Sequence, residues 1–124
     1  MAESRLEQLT KRIRALIAEP AGISGAALIK SDGTAVTSAL PAGLREDELA
    51  AVTAAFTHLC RQGAKRLGLG AVTEAFVKGS SGYLLATPCT ENLILAARVS
   101  DEARLGLALR QTRRAADELA KMLI

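Results

Sequence analysis

The sequence predicts an α+β fold, a five-stranded antiparallel sheet between helices in the order α-β-β-α-β-β-β-α. Apolar residues recur at helical period in three segments, one near each end and a long one in the middle. Five shorter aliphatic runs are bounded by Gly, Asp-Gly and Pro, as strands are. Most connections between these runs are of hairpin length, which requires neighbouring strands to run antiparallel. A length of 124 residues suits one domain spanning residues 1–124.

Each element has a local cause. Ser4 and Glu7 have capping-box spacing, and Leu6, Leu9, Ile13, Leu16 and Ile17 form one helical stripe that Pro20 ends. Residues 22–30 suit a strand, in which Gly22 and Gly25 imply close packing against another element. Asp32-Gly33 is a hairpin signal, followed by a second strand over 34–40 and a loop at 41–43. A long helix runs from Arg45 to about Leu67, with Glu46, Asp47 and Glu48 at its positive end and Arg61, Lys65 and Arg66 towards its negative end. Gly68 and Gly70 stop it. Strands are expected at 71–78, 82–87 and 92–99, with turns at 79–82 and 88–91. The last strand is nearly all apolar and is expected to be central, covered on both faces. Ser100 is the expected cap of the final helix, with Asp101 and Glu102 in its first turn. Leu105, Leu109, Thr112, Ala116, Leu119 and Leu123 lie on one side of that helix.

Composition excludes several functions. Hydrophobic residues make up 49% and charged residues 23% of the chain, the make-up of a folded domain rather than a disordered one. No apolar run reaches the roughly 20 residues that span a bilayer, and the charged start does not read as a secretory signal. A net charge of +3 is too mild to argue for nucleic acid, and an aromatic share of 2% offers few stacking platforms for bases. The two cysteines, Cys60 and Cys89, suit a reduced cytoplasmic compartment. With one histidine, His58, they cannot close a zinc site without distant carboxylates. His58 and Cys60 are two positions apart on a helix and diverge by about 200°, so they form no nucleophile–base pair. Cys89 is expected in a turn. Gly68-Leu69-Gly70 precedes a strand, whereas a phosphate loop precedes a helix. The acidic residues lie mostly at helix starts, and the basic residues of the last helix (Arg110, Arg113, Arg114, Lys121) read as a solvated face. No catalytic residue, cofactor or metal site is expected.

The middle helix is the informative segment. Leu49, Val52, Phe56, Leu59, Cys60, Gly63 and Leu67 are assigned to the sheet. On the opposite face Ala50, Ala51, Ala54 and Ala55 leave a bare surface where a solvated helix would carry charge. A twin helix laid antiparallel across Ala54 would set Asp47 against Arg61 and Lys65 of its partner, a self-complementary pattern. The competing explanation is that alanines are simply good helix formers. The strand at 71–78, guarded by Glu74 and Lys78, is a candidate edge that could pair with its twin.

The stretch Gly22–Gly33 (GISGAALIKSDG) resembles the opening hairpin of the roadblock domain. The resemblance runs through the Ala-rich helix, the strand after Gly70, the apolar strand Asn92–Val99 and the C-terminal helix, and so covers essentially the whole chain. It rests on patterns of residue type. It implies a roadblock/profilin-like sandwich, with the middle helix on one face of the sheet and the first and last helices on the other. It also implies a dimer, with a second copy or a paralogue, through the middle helix and the third strand. Carried onto this sequence, the interface is Asp47, Ala50, Ala51, Ala54, Ala55, His58, Arg61 and Gln62, with Val72, Thr73, Glu74, Ala75 and Phe76 supplying the strand pairing. Dynein light chains, lysosomal scaffold subunits and bacterial polarity regulators of small Ras-like GTPases are members of that family.

The function expected is a cytoplasmic, non-enzymatic dimeric regulator or adaptor of a small Ras-like GTPase, with no cofactor, nucleic acid or membrane insertion. An alternative is a scaffold in a signalling or motor complex without nucleotide dependence. A small-molecule sensor is a third reading, against which the scarcity of aromatic and buried polar residues weighs.

Overall fold

A computed structural model describes residues 3–100 and 104–123. Helix α1 (Arg5–Ala18) starts at Ser4, whose hydroxyl accepts the Glu7 N–H at 3.1 Å. Strands β1 (Ile23–Lys30) and β2 (Ala35–Ala39) form the first hairpin. At its turn Gly33 has φ 92°, a backbone state that costs glycine nothing, and the Asp32 carboxylate accepts the Thr34 N–H at 3.0 Å. Helix α2 (Glu46–Arg66) is followed by β3 (Ala75–Gly79), β4 (Gly82–Thr90), β5 (Leu93–Ser100) and α3 (Leu105–Met122). All the ladders are antiparallel and the sheet order is β2-β1-β5-β4-β3. The expected element order is therefore present, and β5 is central.

Alternation along the strands divides the sheet into two unequal cores. One face holds Leu28, Leu85, Leu95 and Val99 against Ile13 and Leu16 of α1 and Leu119 of α3. Burying each such side chain contributes ~1.5–3 kcal/mol. The other face is thin: Ala27, Ile29 and Ala96 meet Leu49 and Ala50 of α2. Gly25 shows why a small residue is needed in β1, since a Cβ there would come within 2.8 Å of Pro41 Cδ. Gly22 has a different job, a turn at φ 77° before the strand.

Several boundaries move. β3 starts at Ala75, so Val72, Thr73 and Glu74 precede the strand. The delay has a visible cause: Gly68 and Gly70 both take positive φ, and the Arg113 guanidinium donates to the Thr73 carbonyl, holding this segment beside α3. β4 extends to Thr90 through a register shift between Pro88 and Thr90, a place where a strand accommodates proline. Cys89 therefore lies in β4, not in a turn. Ser100 ends β5 rather than capping a helix. α3 begins after Arg104 without a side-chain cap; Asp101 and Glu102 lie outside the described residues.

The largest correction concerns α2. Its sheet-facing stripe is Leu49, Ala50, Thr53, Thr57 and Ala64. Val52 and Leu59, assigned to the sheet from sequence, are 51% and 67% exposed. The hydroxyls of Thr53 and Thr57 are buried without a hydrogen-bond partner, which costs about 1–3 kcal/mol each. Thr53→Val removes the orphan oxygen at nearly constant volume and is expected to raise stability by ~1 kcal/mol in urea denaturation. Ala50→Leu is expected to lower it by ~1–3 kcal/mol through overpacking.

Candidate interaction surface

Because α2 packs across β1, with β2 and β5 beside it, the β4–β3 side of that sheet face is left open. Val77 of β3 pairs with Leu84 of β4 and shares the α2 side, while Phe76 pairs with Leu85 and shares the α3 side. Among the described residues, the large apolar side chains left strongly exposed are Val52, Leu59, Leu67, Leu69, Phe76 and Val77, together with Leu6 on α1. All but Leu6 lie on α2, the segment after it, or β3. Val52, Val77, Leu69 and Phe76 flank two grooves. One, of ≈ 490 Å³, lies between Leu49 and Val52 of α2 and Val77 and Leu84 of the β3–β4 hairpin. The second, of ≈ 520 Å³, lies between Phe56 and Cys60 of α2 and Val72 and Phe76. β3 is also an edge strand, so its outer backbone row has no partner in the sheet.

The residues expected at an interface fall into distinct groups. Ala51, Ala55, His58 and Gln62 are exposed on α2. Ala50 is fully buried under the helix and cannot reach a partner. Ala54 and Arg61 are half-buried. A Cβ on Gly33 would lie 4.0 Å from the Ala54 Cβ and 3.8 Å from the Ala51 Cα, so the β1–β2 turn sits against this alanine flank. Much of the small-residue surface is thus spent on approach to the sheet and its hairpin. Asp47 is exposed and pairs with Arg45 at 2.8 Å; that hydrogen bond holds its carboxyl below the usual range. Of the strand residues, Ala75 is buried and Phe76 exposed, while Thr73 and Glu74 lie exposed before β3 and Val72 is half-buried there. Hydrophobicity alone does not separate this apolar flank from a core-facing stripe, because both place large residues at helical period. The signal was present: Glu48, Val52, Ala55, Leu59, Gln62 and Arg66 recur at alternating spacings of four and three, the spacing of a helix–helix seam.

No described arrangement resembles a reaction centre. His58 is exposed on α2. Cys60 is half-buried on the same helix, while Cys89, also half-buried, packs against the core on the opposite sheet face. Burial pushes the Cys89 thiol up to about 12, with the nearby Asp117 carboxylate adding to the effect. Among the described residues no group of three or more His, Cys, Asp or Glu side chains could hold a metal ion, and no helix is long and apolar enough to cross a membrane.

The Roadblock/LC7 domain family matches residues 9–98, and the chain belongs to that family. It is 27% identical over 101 residues to an uncharacterised protein of Methanocaldococcus jannaschii, covering 82% of this chain and 88% of that protein. Among solved structures, Myxococcus xanthus MglB superposes with a TM-score of 0.88 at 22% identity, over 99% of this chain and 92% of MglB. A structure of MglB in a tetrameric arrangement gives 0.89 at 23% identity, over 98% and 92%. These structures share the fold.

The two thiols should behave differently. Iodoacetamide at pH 8 is expected to alkylate Cys60 and leave Cys89 unmodified in the native protein, as read by mass spectrometry of peptides. The same burial makes stability pH-dependent. The Cys89 pKa in the folded chain lies above its unfolded value, so its stabilising contribution is full below about pH 9 and is lost as pH rises towards 12.

Proposed function

We propose that this chain acts as a two-fold dimer, and that the dimer is a non-enzymatic docking module that regulates or tethers a small Ras-like GTPase. The observation that supports this most is the continuity of an uncovered apolar helix flank with an uncapped edge strand. A second copy can satisfy both at once. Two β3 strands pairing antiparallel would join the sheets, and two α2 helices would meet along Val52, Ala55 and Leu59. In that antiparallel register Glu48 of one copy lies near Arg66 of the other, so the ends of the seam carry opposite charges as two-fold symmetry requires. Of the residues expected at the interface from sequence, this dimer keeps Ala55, Gln62 and Phe76 and excludes Ala50. Asp47 and Arg61 lie on the other flank of α2.

Family membership and likeness in fold to MglB support the reading of a GTPase partner. No arginine finger is assigned. The dimer would act by presenting its paired helices to the partner's switch segments and favouring one of their conformations.

Leu59→Glu places a charge in the seam of each copy. The parent is expected to show the dimer mass in size-exclusion chromatography with light scattering and the variant the monomer mass, with unchanged circular dichroism. A parent that is monomeric at tens of micromolar would refute the dimer. For the partner, GTP hydrolysis by the Ras-like GTPases of the same organism is to be measured with and without the protein, alongside pull-down in the GDP- and GTP-loaded states. Binding to one nucleotide state with a changed rate supports regulation. Binding indifferent to nucleotide supports the tethering role alone, and no binding in either state refutes the GTPase reading.

A further inference from the structure

At the end of the sheet beneath the last turns of α2 lies a third cavity, of ≈ 660 Å³, which shares Val72 with the groove beside Phe56. Its lining is rich in polar residues. Arg61 and Lys65, one turn apart on α2, face it together with Ser31, Thr90 and Asn92. Pro88 and Val72 give it an apolar wall. Neither cation has a carboxylate oxygen within 4.0 Å among the described residues. The polar residues are held in place by backbone bonds: the Ser31 N–H donates to the Asn92 carbonyl at 3.0 Å, and the Asn92 N–H to the Thr90 hydroxyl at 3.3 Å.

We infer that this cavity is a binding site for an organic phosphate. A phosphate oxygen cluster takes the charge-assisted hydrogen bonds of the Arg61 guanidinium and the Lys65 ammonium. The Ser31 hydroxyl and the Asn92 amide supply neutral donors, and the apolar remainder of the ligand rests on Pro88 and Val72. Two features oppose an anion here. The C-terminal end of α2 carries partial negative charge, but three of its last four carbonyls are already taken by N–H groups, with Leu67 donating to Gly63, Gly68 to Lys65 and Leu69 to Ala64 at 2.8–3.3 Å. Glu91 also lines the cavity, and its charge lowers affinity for the phosphate. Arg61 lies about 200° around α2 from Leu59, so its side chain points away from the helix seam.

The test is an amide chemical-shift titration of the isotope-labelled full chain at constant ionic strength, with phenyl phosphate, inorganic phosphate and phenol as separate probes. Phenyl phosphate is expected to give saturable shifts confined to Ser31, Arg61, Lys65, Gly70–Val72 and Thr90–Asn92, with inorganic phosphate weaker and phenol without effect. Arg61→Gln with Lys65→Gln should weaken binding at least tenfold while leaving the rest of the spectrum unchanged, and Glu91→Gln should tighten it about twofold or more. Equal affinity for the double variant, or shifts spread over all the basic side chains, would overturn the proposal. So would shifts from phenol matching those from phenyl phosphate. Light scattering on the same samples reports the dimer separately, so failure of one reading leaves the other standing or falling on its own result.

Discussion

The close approach of α2 to the sheet is the constraint on which the rest of the molecule depends. Ala27 and Ala96 on the strands and Ala50, Thr53, Thr57 and Ala64 on the helix leave no space between the layers for a larger stripe. Protein interiors are packed to crystal-like density, so beyond Leu49 a helix seated on such a surface turns small side chains inward. Its larger residues are then displaced to the flank. Val52 and Leu59 are exposed for that reason, and the interaction surface is a by-product of how little room the seam provides.

The two faces of the sheet divide the work. α1 and α3 cover a core of Leu, Ile and Val side chains and carry most of the apolar burial. α2 contributes less burial and carries two buried hydroxyls without partners. A layer held by a thin core gains more from an additional packing partner than one already well covered. The β4–β3 side of the sheet, uncovered by any helix on the α2 face, lies beside it. Weak burial and open surface therefore coincide in one region, where a second chain can supply what the monomer lacks.

Much of the architecture was legible in the sequence because it is set by local signals. The Ser4 cap, the Asp32-Gly33 turn and the glycines closing α2 each act through a few neighbouring residues, and each is found where expected. The central place of β5 followed from its continuous apolar run. The orientation of α2 was not legible in the same way. Both of its stripes satisfy a helical period, and the choice between them depends on the depth of the opposing strands, a tertiary property. The start of β3 was likewise hidden, because the Arg113 contact with the Thr73 carbonyl joins residues far apart in the chain. Likewise, of the interface residues carried over from the roadblock resemblance, those on α2 depended on that orientation and those before β3 on that contact. The basic cavity drew on Ser31, Arg61 and Asn92, which no linear motif brings together.

The placement of the two cysteines sets how the protein responds to oxidants. A disulfide requires Cα atoms about 4.4–6.8 Å apart with side chains turned towards each other, and Cys60 and Cys89 project into layers separated by the sheet itself. An internal staple is therefore closed to this fold. Oxidative chemistry is directed to Cys60, which borders the groove beside Phe56, so a bulky adduct on that sulfur would enter the region where the helix meets the edge strand and alter assembly without disturbing the deeper core.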